Sequence, residues 1–307
     1  INHRKKVQEY ELELTPNKLA FDSEIKALET KIDKYKTEEL KILQENDPSS
    51  QSCCSFVTHQ EIRIGERRPE DADFLSIRIG LGKRNTKVRV MSIPVDNREP
   101  AYKDLYYEAD QLPEAAAWFD NAPILCDLKE VGSLGVAGKI DDLRQLGWSL
   151  AINLLSHHWP SEVNIAAFCS FVEVENWKWI NHCKHKSGIF EEPVIELRNN
   201  DAVKQSLLRL EEELRRRKSE IVNMRAISPE SKANFNLPAL VIFFDRVSGI
   251  YNHAAFTMLL KEGRELGVFG VFLVDRIQDI PSECGAMISI VSGILSYKRI
   301  GPANQSI

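Results

Sequence analysis

Leu134-Gly135-Val136-Ala137-Gly138, an apolar run that carries a glycine up to a polar turn and a helix-like segment, is where this chain could handle phosphates. A strand ending at a glycine beside a helix N-terminus aims backbone N–H groups and the positive end of the helix dipole at an anion. A loop that also processes nucleotides reads G-x-x-x-x-G-K-[ST], its lysine reaching the β/γ-phosphates and its hydroxyl binding Mg²⁺. Counted from Gly138, the chain reads G-K-I-D-D-L-R-Q, so Leu143, Arg144 and Gln145 stand at the Gly, Lys and Ser/Thr positions. Taking Gly138-Lys139 as the Gly-Lys pair puts Ile140 at the hydroxyl position and turns Asp141 and Asp142 toward the phosphates, where acid repels anion. Both registers predict a phosphate-loop scaffold without its catalytic groups.

Other residue sets carry less chemistry. His182-Cys183-Lys184-His185 is too tightly spaced for a structural zinc centre, and no metal site is expected. His157-His158 precedes Trp159-Pro160 and reads as a helix end, where cations favour the dipole. Ser248-Gly249 and His253 lack the G-x-S-x-G elbow of a hydrolase. The basic run Arg215-Arg216-Arg217-Lys218 follows Glu211-Glu212-Glu213, so acid–base pairing one turn apart predicts a solvated helix face. Six scattered cysteines, with Cys53 and Cys54 adjacent, read as reduced thiols.

The elements that must position the loop follow from periodicity. Apolar residues at Phe21, Ile25, Leu28, Ile32, Tyr35 and Ile42, with Glu39 filling the missing step, make a narrow seam of hairpin or short coiled-coil type. Residues 1–50 are therefore a helical stalk, with Pro16 a break between two pieces. Residues 51–120 read as a β-rich segment packed on the core. Glu61–Ile64, Phe74–Ile79 and Lys87–Met91 alternate apolar with polar, and Gly80 and Gly82 suggest a hairpin between the last two. Residues 121–307 read as a doubly wound α/β domain. Leu134–Ala137, Val163–Phe168, Leu240–Phe244 and Gly267–Val274 are short apolar runs of buried parallel strands, with helices at Asp201–Met224 and His253–Glu265.

At 307 residues the chain can hold one large α/β domain and an appendage. A net charge of −5 argues against an overall nucleic-acid footprint while leaving room for a local basic groove. No apolar run reaches the ~18 residues that a membrane span needs. A start at Ile1, with neither initiator Met nor signal peptide, reads as a piece of a longer chain.

Four stretches together resemble the FtsK/SpoIIIE-type ATPases, and most of all the membrane-proximal ATPase-like domain of the type VII secretion ATPases called EssC or EccC. Residues 66–82, E-R-R-P-E-D-A-D-F-L-S-I-R-I-G-L-G, are similar to that family's E-R-R-P-x-D-x-D-F-L-x-x-R-x-G-x-G segment. Trp177, Trp179 and His185 fall where it has W-x-W and a Leu-Pro-His ending, with Cys183-Lys184 in place of Leu-Pro. Pro238–Asp245 resembles a Walker B strand, and Lys261–Gly267 the helix end before the sensor strand. The likeness covers nearly the whole chain. It implies a RecA-like P-loop NTPase-type parallel sheet flanked by helices, and a stalk that follows membrane helices on the cytoplasmic face of the cell membrane.

Departures from that pattern are specific. An active Walker B ends Asp-Glu, the glutamate positioning the attacking water; here Asp245 is followed by Arg246. Asp275-Arg276 stands where a sensor glutamine usually reads the γ-phosphate. Gly138, Lys139, Arg144, Asp245 and Arg246 then outline a degenerate nucleotide site. Arg144 and Arg246 could bind an anion without hydrolysing it, or Arg144 could pair with Asp245, Asp141 or Asp142 and fill the empty space. No catalytic residue and no bound cofactor is expected, although ATP and Mg²⁺ belong to the parent protein the resemblance implies. Trp177, Trp179 and His185 are expected at an interface, or packed in the core. Glu130–Ile140 and Asp245–Gly249 are expected at an interface too, or at a site filled by a neighbouring segment.

The resemblance thus implies a catalytically silent domain that couples a membrane stalk to active ATPase domains further along the same chain. Its implied partners are those domains, a hexameric assembly, membrane subunits of the secretion system and, through downstream domains, small helical secreted substrates. A nucleotide sensor without turnover, or a working FtsK-type DNA translocase using Lys139 or Arg144, are the competing readings.

Overall fold

The computed structural model describes residues 2–59, 65–92, 94, 103–227, 237–247 and 250–300. They fall into two compact units, Ile1–Asp47 with Leu81–Ile124, and Pro48–Gly80 with Leu125–Ile307.

In the first unit α1 (Asn2–Asn46) is one helix that runs through Pro16, where the sequence predicts a break. A proline deletes a single ladder N–H, and long helical stretches on both sides propagate past it. Ile25 and Ile32 of the apolar seam are buried with Leu112 and Ala116 of α3 (Lys103–Ala117), and Phe21, Val88 and Val90 pack against them. The seam's partner is thus a later helix of the same unit. Glu39, the polar step in the seam, accepts the Lys87 backbone N–H on both oxygens at 3.1 Å. Lys36 Nζ and Thr86 Oγ1 donate to the Ala115 and Ala116 carbonyls at 2.7 and 2.6 Å, satisfying the end of α3.

The expected hairpin between Phe74–Ile79 and Lys87–Met91 does not form. Lys87–Met91 is extended chain whose alternation turns Val88 and Val90 onto the helices instead of into a sheet. β1 (Ser76–Asn85) pairs with β2 (Trp118–Asp127). Residues 51–120 also contain the helices α2 (Ser50–His59) and α3, so this stretch is less β-rich than its pattern suggests. The strand expected at Glu61–Ile64 lies outside the described residues.

The second unit is built on β3 (Ser133–Ala137), β4 (Val163–Cys169), β5 (Val194–Glu196), β6 (Ala239–Asp245), β7 (Val268–Val274), β8 (Ala286–Val291) and β9 (Ile294–Arg299). Their order is β5-β4-β6-β7-β3-β8-β9, parallel except for the β8–β9 hairpin. β7 therefore separates the glycine-bearing β3 from the Walker-B-like β6, the RecA-like arrangement. β6 and β7 are buried at every residue, as central strands covered on both faces must be. Phe168, Phe244 and Phe272 lie in register on neighbouring strands and stack at 5.4 and 4.8 Å, under Leu207, Leu210 and Leu214 of α7 (Asn200–Ile227) and Phe256 and Leu259 of α8 (Ala254–Leu266). The opposite face carries α5 (Ile140–His157), where Gly147 lets the helix approach: a Cβ there would sit 2.8 Å from Leu273.

Two sequence details resolve in the packing. The basic run on α7 is not wholly solvated. Arg215 and Arg216 pair with Glu211 and Glu213, but Arg217 is buried, bonding Glu213 and the carbonyls of Leu266, Gly267 and Pro238. All six cysteines are free thiols.

Candidate functional site

The β3–α5 connection decides what the glycine loop can do. β3 ends at Ala137 and α5 begins at Ile140, leaving only Gly138 and Lys139 between them. A six-residue cradle has no room there. The Gly138 N–H donates to the Val274 carbonyl at 3.2 Å, and the Ile290 side chain lies against Gly138, where a Cβ would be 3.2 Å away. Lys139 is the helix N-cap with an exposed side chain and no side-chain capping bond. Arg144 sits on the second turn of the helix, with its guanidinium directed at Glu173 and at Asp141 of the first turn.

The cations that could have met phosphate converge instead on one carboxylate. Glu173 follows β4 on a three-residue 3-10 helix, Phe171–Glu173, and is fully buried. Arg144 donates from Nε and Nη2 to its two oxygens at 2.8 and 2.9 Å, the bidentate fork that fits a carboxylate. Arg246 Nη2 donates to the same Oε1, and Asn176 Nδ2 donates to Oε2 at 2.6 Å. Asp141 adds a looser contact to Arg144 at 3.4 Å. Of the acids expected to pair with Arg144, which were Asp245, Asp141 and Asp142, only Asp141 forms an ion pair with it, at 3.4 Å; its main partner is Glu173, a residue the motif comparison passes over.

Asp245 closes the cluster. It lies two residues beyond Phe243 on β6 and so shares that residue's face, on which Trp177 packs at 4.8 Å. Trp177 Nε1 donates to Asp245 Oδ2 at 2.8 Å, and Arg246 Nε lies 3.5 Å from Oδ1. Burial raises the Asp245 carboxyl to about 6, against the Trp177 hydrogen bond and the Arg144 charge, which pull it down. Burial also lowers the Arg246 guanidinium. Arg246 holds a left-handed backbone, φ 50°, that a non-glycine residue adopts only when its surroundings fix it. A cleft of about 360 Å³ opens beside the cluster, lined by Asp141, Arg144, Gln145, Trp148, Asn176, Trp177 and Asp245.

Of the sequence-predicted site residues, Arg144, Asp245 and Arg246 therefore come together, whereas Gly138 and Lys139 stand at the shortened turn. Trp177 and His185 are buried inside the unit and Trp179 is half-buried, 6.5 Å from Trp177 in a stacked pair. His185 Nε2 bonds the His158 carbonyl at 2.8 Å. Asp275 and Arg276, at the sensor position, are exposed, and Arg276 pairs with Asp279 at 2.9 Å. Glu173 and Asn176 were missed. The one sequence signal was an acid four residues past the end of a buried parallel strand, the side of such sheets where ligands bind.

Residues 66–82, so distinctive in sequence, act structurally within the unit. Arg67 is buried, bonding the Ser76 carbonyl and pairing with Asp73 at 3.2 Å, while its N–H donates to the His157 carbonyl at 2.9 Å. Lys129 Nζ ties the Asp71 carbonyl at 2.9 Å. His158 is not the cation expected at a helix end. Its Nδ1 donates to the Leu154 carbonyl at 2.8 Å and its Nε2 accepts the Leu75 N–H at 3.1 Å, and burial lowers it to about 3.

The fold defines a RecA-like α/β module in which only Gly138 and Lys139 separate β3 from α5. No protein-family model matches the chain. Its sequence homologues are type VII secretion proteins of the EccC kind. The ESX secretion system protein EccC of Geobacillus thermodenitrificans is 24% identical over 271 residues, 84% of this chain and 17% of that one. The ESX-4 secretion system protein EccC4 of Mycobacterium tuberculosis is 30% identical over 137 residues, 41% of this chain and 10% of that one. The chain thus spans less than a fifth of the length of these relatives. Among solved structures, ATPases 2 and 3 of Thermomonospora curvata EccC, in complex with a signal sequence peptide, match 78% of this chain and 39% of that one at 15% identity and a TM-score of 0.48.

Proposed function

We infer that this chain is a catalytically silent ATPase-like module of a membrane-anchored type VII secretion translocase of FtsK/SpoIIIE type. It works at the cytoplasmic face of the membrane, coupling a juxtamembrane stalk to active ATPase domains of the same protein. Its partners are those domains, further copies of itself in a ring, and membrane subunits of the secretion system. One observation carries the silent reading: a two-residue β3–α5 turn, with both candidate arginines held by the buried Glu173. A hydrolytic site needs a loop around the phosphates, a metal hydroxyl and a base for water. Here the first is shortened away, Ile140 or Gln145 replaces the second, and the cation Arg246 replaces the third.

Calorimetry with ATP, with and without Mg²⁺, and steady-state phosphate release test this. No heat at millimolar nucleotide and no turnover are expected. Micromolar, Mg²⁺-enhanced binding, or turnover lost on Arg144→Ala, would sink the silent reading.

A nucleotide sensor is the second reading, and the cleft favours it, since Trp148 is partly exposed at its rim and offers a ring for base stacking beside Arg144. Binding without turnover, persisting in chelator, is its signature.

A further inference from the structure

We propose that Glu173 is a displaceable carboxylate plug over a cryptic site for phosphoryl anions, whose donors are Arg144, Arg246 and Asn176. The inference rests on the silent reading of the same site and adds what that site would hold once opened. Two guanidinium groups and one amide converge on the two oxygens of a single buried side chain. The same fork geometry serves two oxygens of a phosphoryl group, because guanidinium recognises carboxylate and phosphate through equivalent planar pairs. Without the Glu173 carboxylate, the two cations would face the buried Asp245, the exposed Asp141 and, from β7's end, the exposed Asp275. The four N–H donors of Arg144, Arg246 and Asn176 would then lack their shared acceptor.

The plug sits on a segment whose other two side chains face outward. Phe171 is 50% exposed and Val172 61%, so Glu173 alone of the 3-10 helix is embedded. Its outer hold is the Arg198 guanidinium, 3.6 Å from the centre of the Phe171 ring. Arg144 and Asn176 both line the adjacent cleft of about 360 Å³, so an incoming anion has a path to the donors while Glu173 swings out. The resting chain binds weakly because an external anion must outcompete a tethered one.

The test uses the full chain as wild type, Glu173→Gln, Glu173→Ala and the double variant Arg144→Ala/Glu173→Ala. Each is titrated with inorganic pyrophosphate, and separately with ATP, in chelator at constant ionic strength. At least tenfold tighter binding by the single variants than by wild type is expected, abolished in the double variant. Binding of pyrophosphate alone assigns the site to free anions, and tighter binding of ATP assigns it to the nucleotide; either supports the plug. Should Glu173→Ala fold poorly, its refolding yield in phosphate is compared with that in chloride of equal ionic strength. Rescue by phosphate alone supports the site. Folded single variants without saturable binding, or an unfolded variant that phosphate does not rescue, overturn it. Tight ATP binding by wild type would instead overturn the silent reading, so the two failures are distinct.

Discussion

Arg144 and Glu173 meet through two parallel hydrogen bonds of 2.8 and 2.9 Å, linking the second turn of α5 to the segment after β4. Arg144 is 37% exposed on its side chain and Arg246 only 15%, while the carboxylate between them is fully buried. Breaking a buried pair from one side costs about 3–5 kcal/mol, and water screens the more open partner. Arg246→Ala is therefore expected to cost roughly 2–4 kcal/mol and Arg144→Ala roughly 1–2 kcal/mol by urea unfolding at neutral pH. The reverse order would show that Arg144 is the principal partner.

Asp245 gives the fold a pH dependence of unusual sign. Its carboxyl is raised to about 6 by burial, above its value in an unfolded chain. The folded state thus holds a proton that the unfolded state has already lost between about pH 4 and pH 6. Its contribution is full below that window and is lost as pH rises through 6, on the order of 3 kcal/mol. Asp245→Asn should gain stability relative to wild type between pH 4.5 and pH 7.5. A constant difference across that range would mean Asp245 is ionised throughout.

His158 works in the opposite direction. Its ring is neutral, donating to Leu154 and accepting from Leu75, and burial lowers it to about 3. The unfolded chain binds a proton near 6.5 that the folded chain refuses, so stability is full above 6.5 and falls as pH drops toward 3, by on the order of 5 kcal/mol. His158→Gln keeps an acceptor for the Leu75 N–H and removes the titration. It should lose stability at pH 7 yet flatten the acid limb. An acid limb as steep as wild type would place the titration elsewhere.

Two glycines of the Lys261–Gly267 stretch have different physical duties. Gly267 closes α8 in the left-handed region at φ 68°, its N–H reaching the Arg264 and Gly263 carbonyls. Alanine there costs about 1 kcal/mol of backbone strain. Gly263 needs no special dihedral, but its Cβ would lie 2.4 Å from the Val268 carbonyl oxygen. Because that neighbour is backbone, Gly263→Ala forces helix and strand apart and should cost more, roughly 2–3 kcal/mol. Thermal midpoints of the two variants decide the order.

The central strands were legible because β6 and β7 are unbroken apolar runs, which only a doubly covered sheet can use. Helices α7 and α8 were legible from their spacing and, for α8, from its closing glycine. The short edge strand Val194–Glu196 and the exposed β9 carry no pattern strong enough to read. Lys87–Met91 carries one that misleads, since alternation reports a half-buried extended chain whether or not a sheet receives it. At the site, Asp245 and Arg246 could be placed because the first ends a strand and the second follows it. Glu173 could not, because its role depends on a register between β4 and β6 that sets Cys169 beside Asp245. Nor did the sequence reveal that only Gly138 and Lys139 separate β3 from α5, so the loop was judged by its residue types and not by its length.

On the silent reading, loop length separates two routes to an active enzyme. Arg246→Glu supplies the carboxylate that a working Walker B uses to position water, and it removes a cation from the metal side. It also sets a second acid against the buried Glu173, which then keeps only Arg144 and Asn176 as donors. With the Gly138 N–H still bonded to Val274 and Ile290 still packed on that glycine, phosphates have no cradle to enter. Arg246→Glu is therefore expected to show no phosphate release above background and a stability loss of roughly 2–4 kcal/mol. A second variant with a G-x-x-x-x-G-K-T loop grafted between Ala137 and Ile140 is expected to gain ATP binding whether or not residue 246 is changed. Turnover from Arg246→Glu alone would show that the two-residue turn admits phosphates, and that the base at position 246, not the loop, limits turnover.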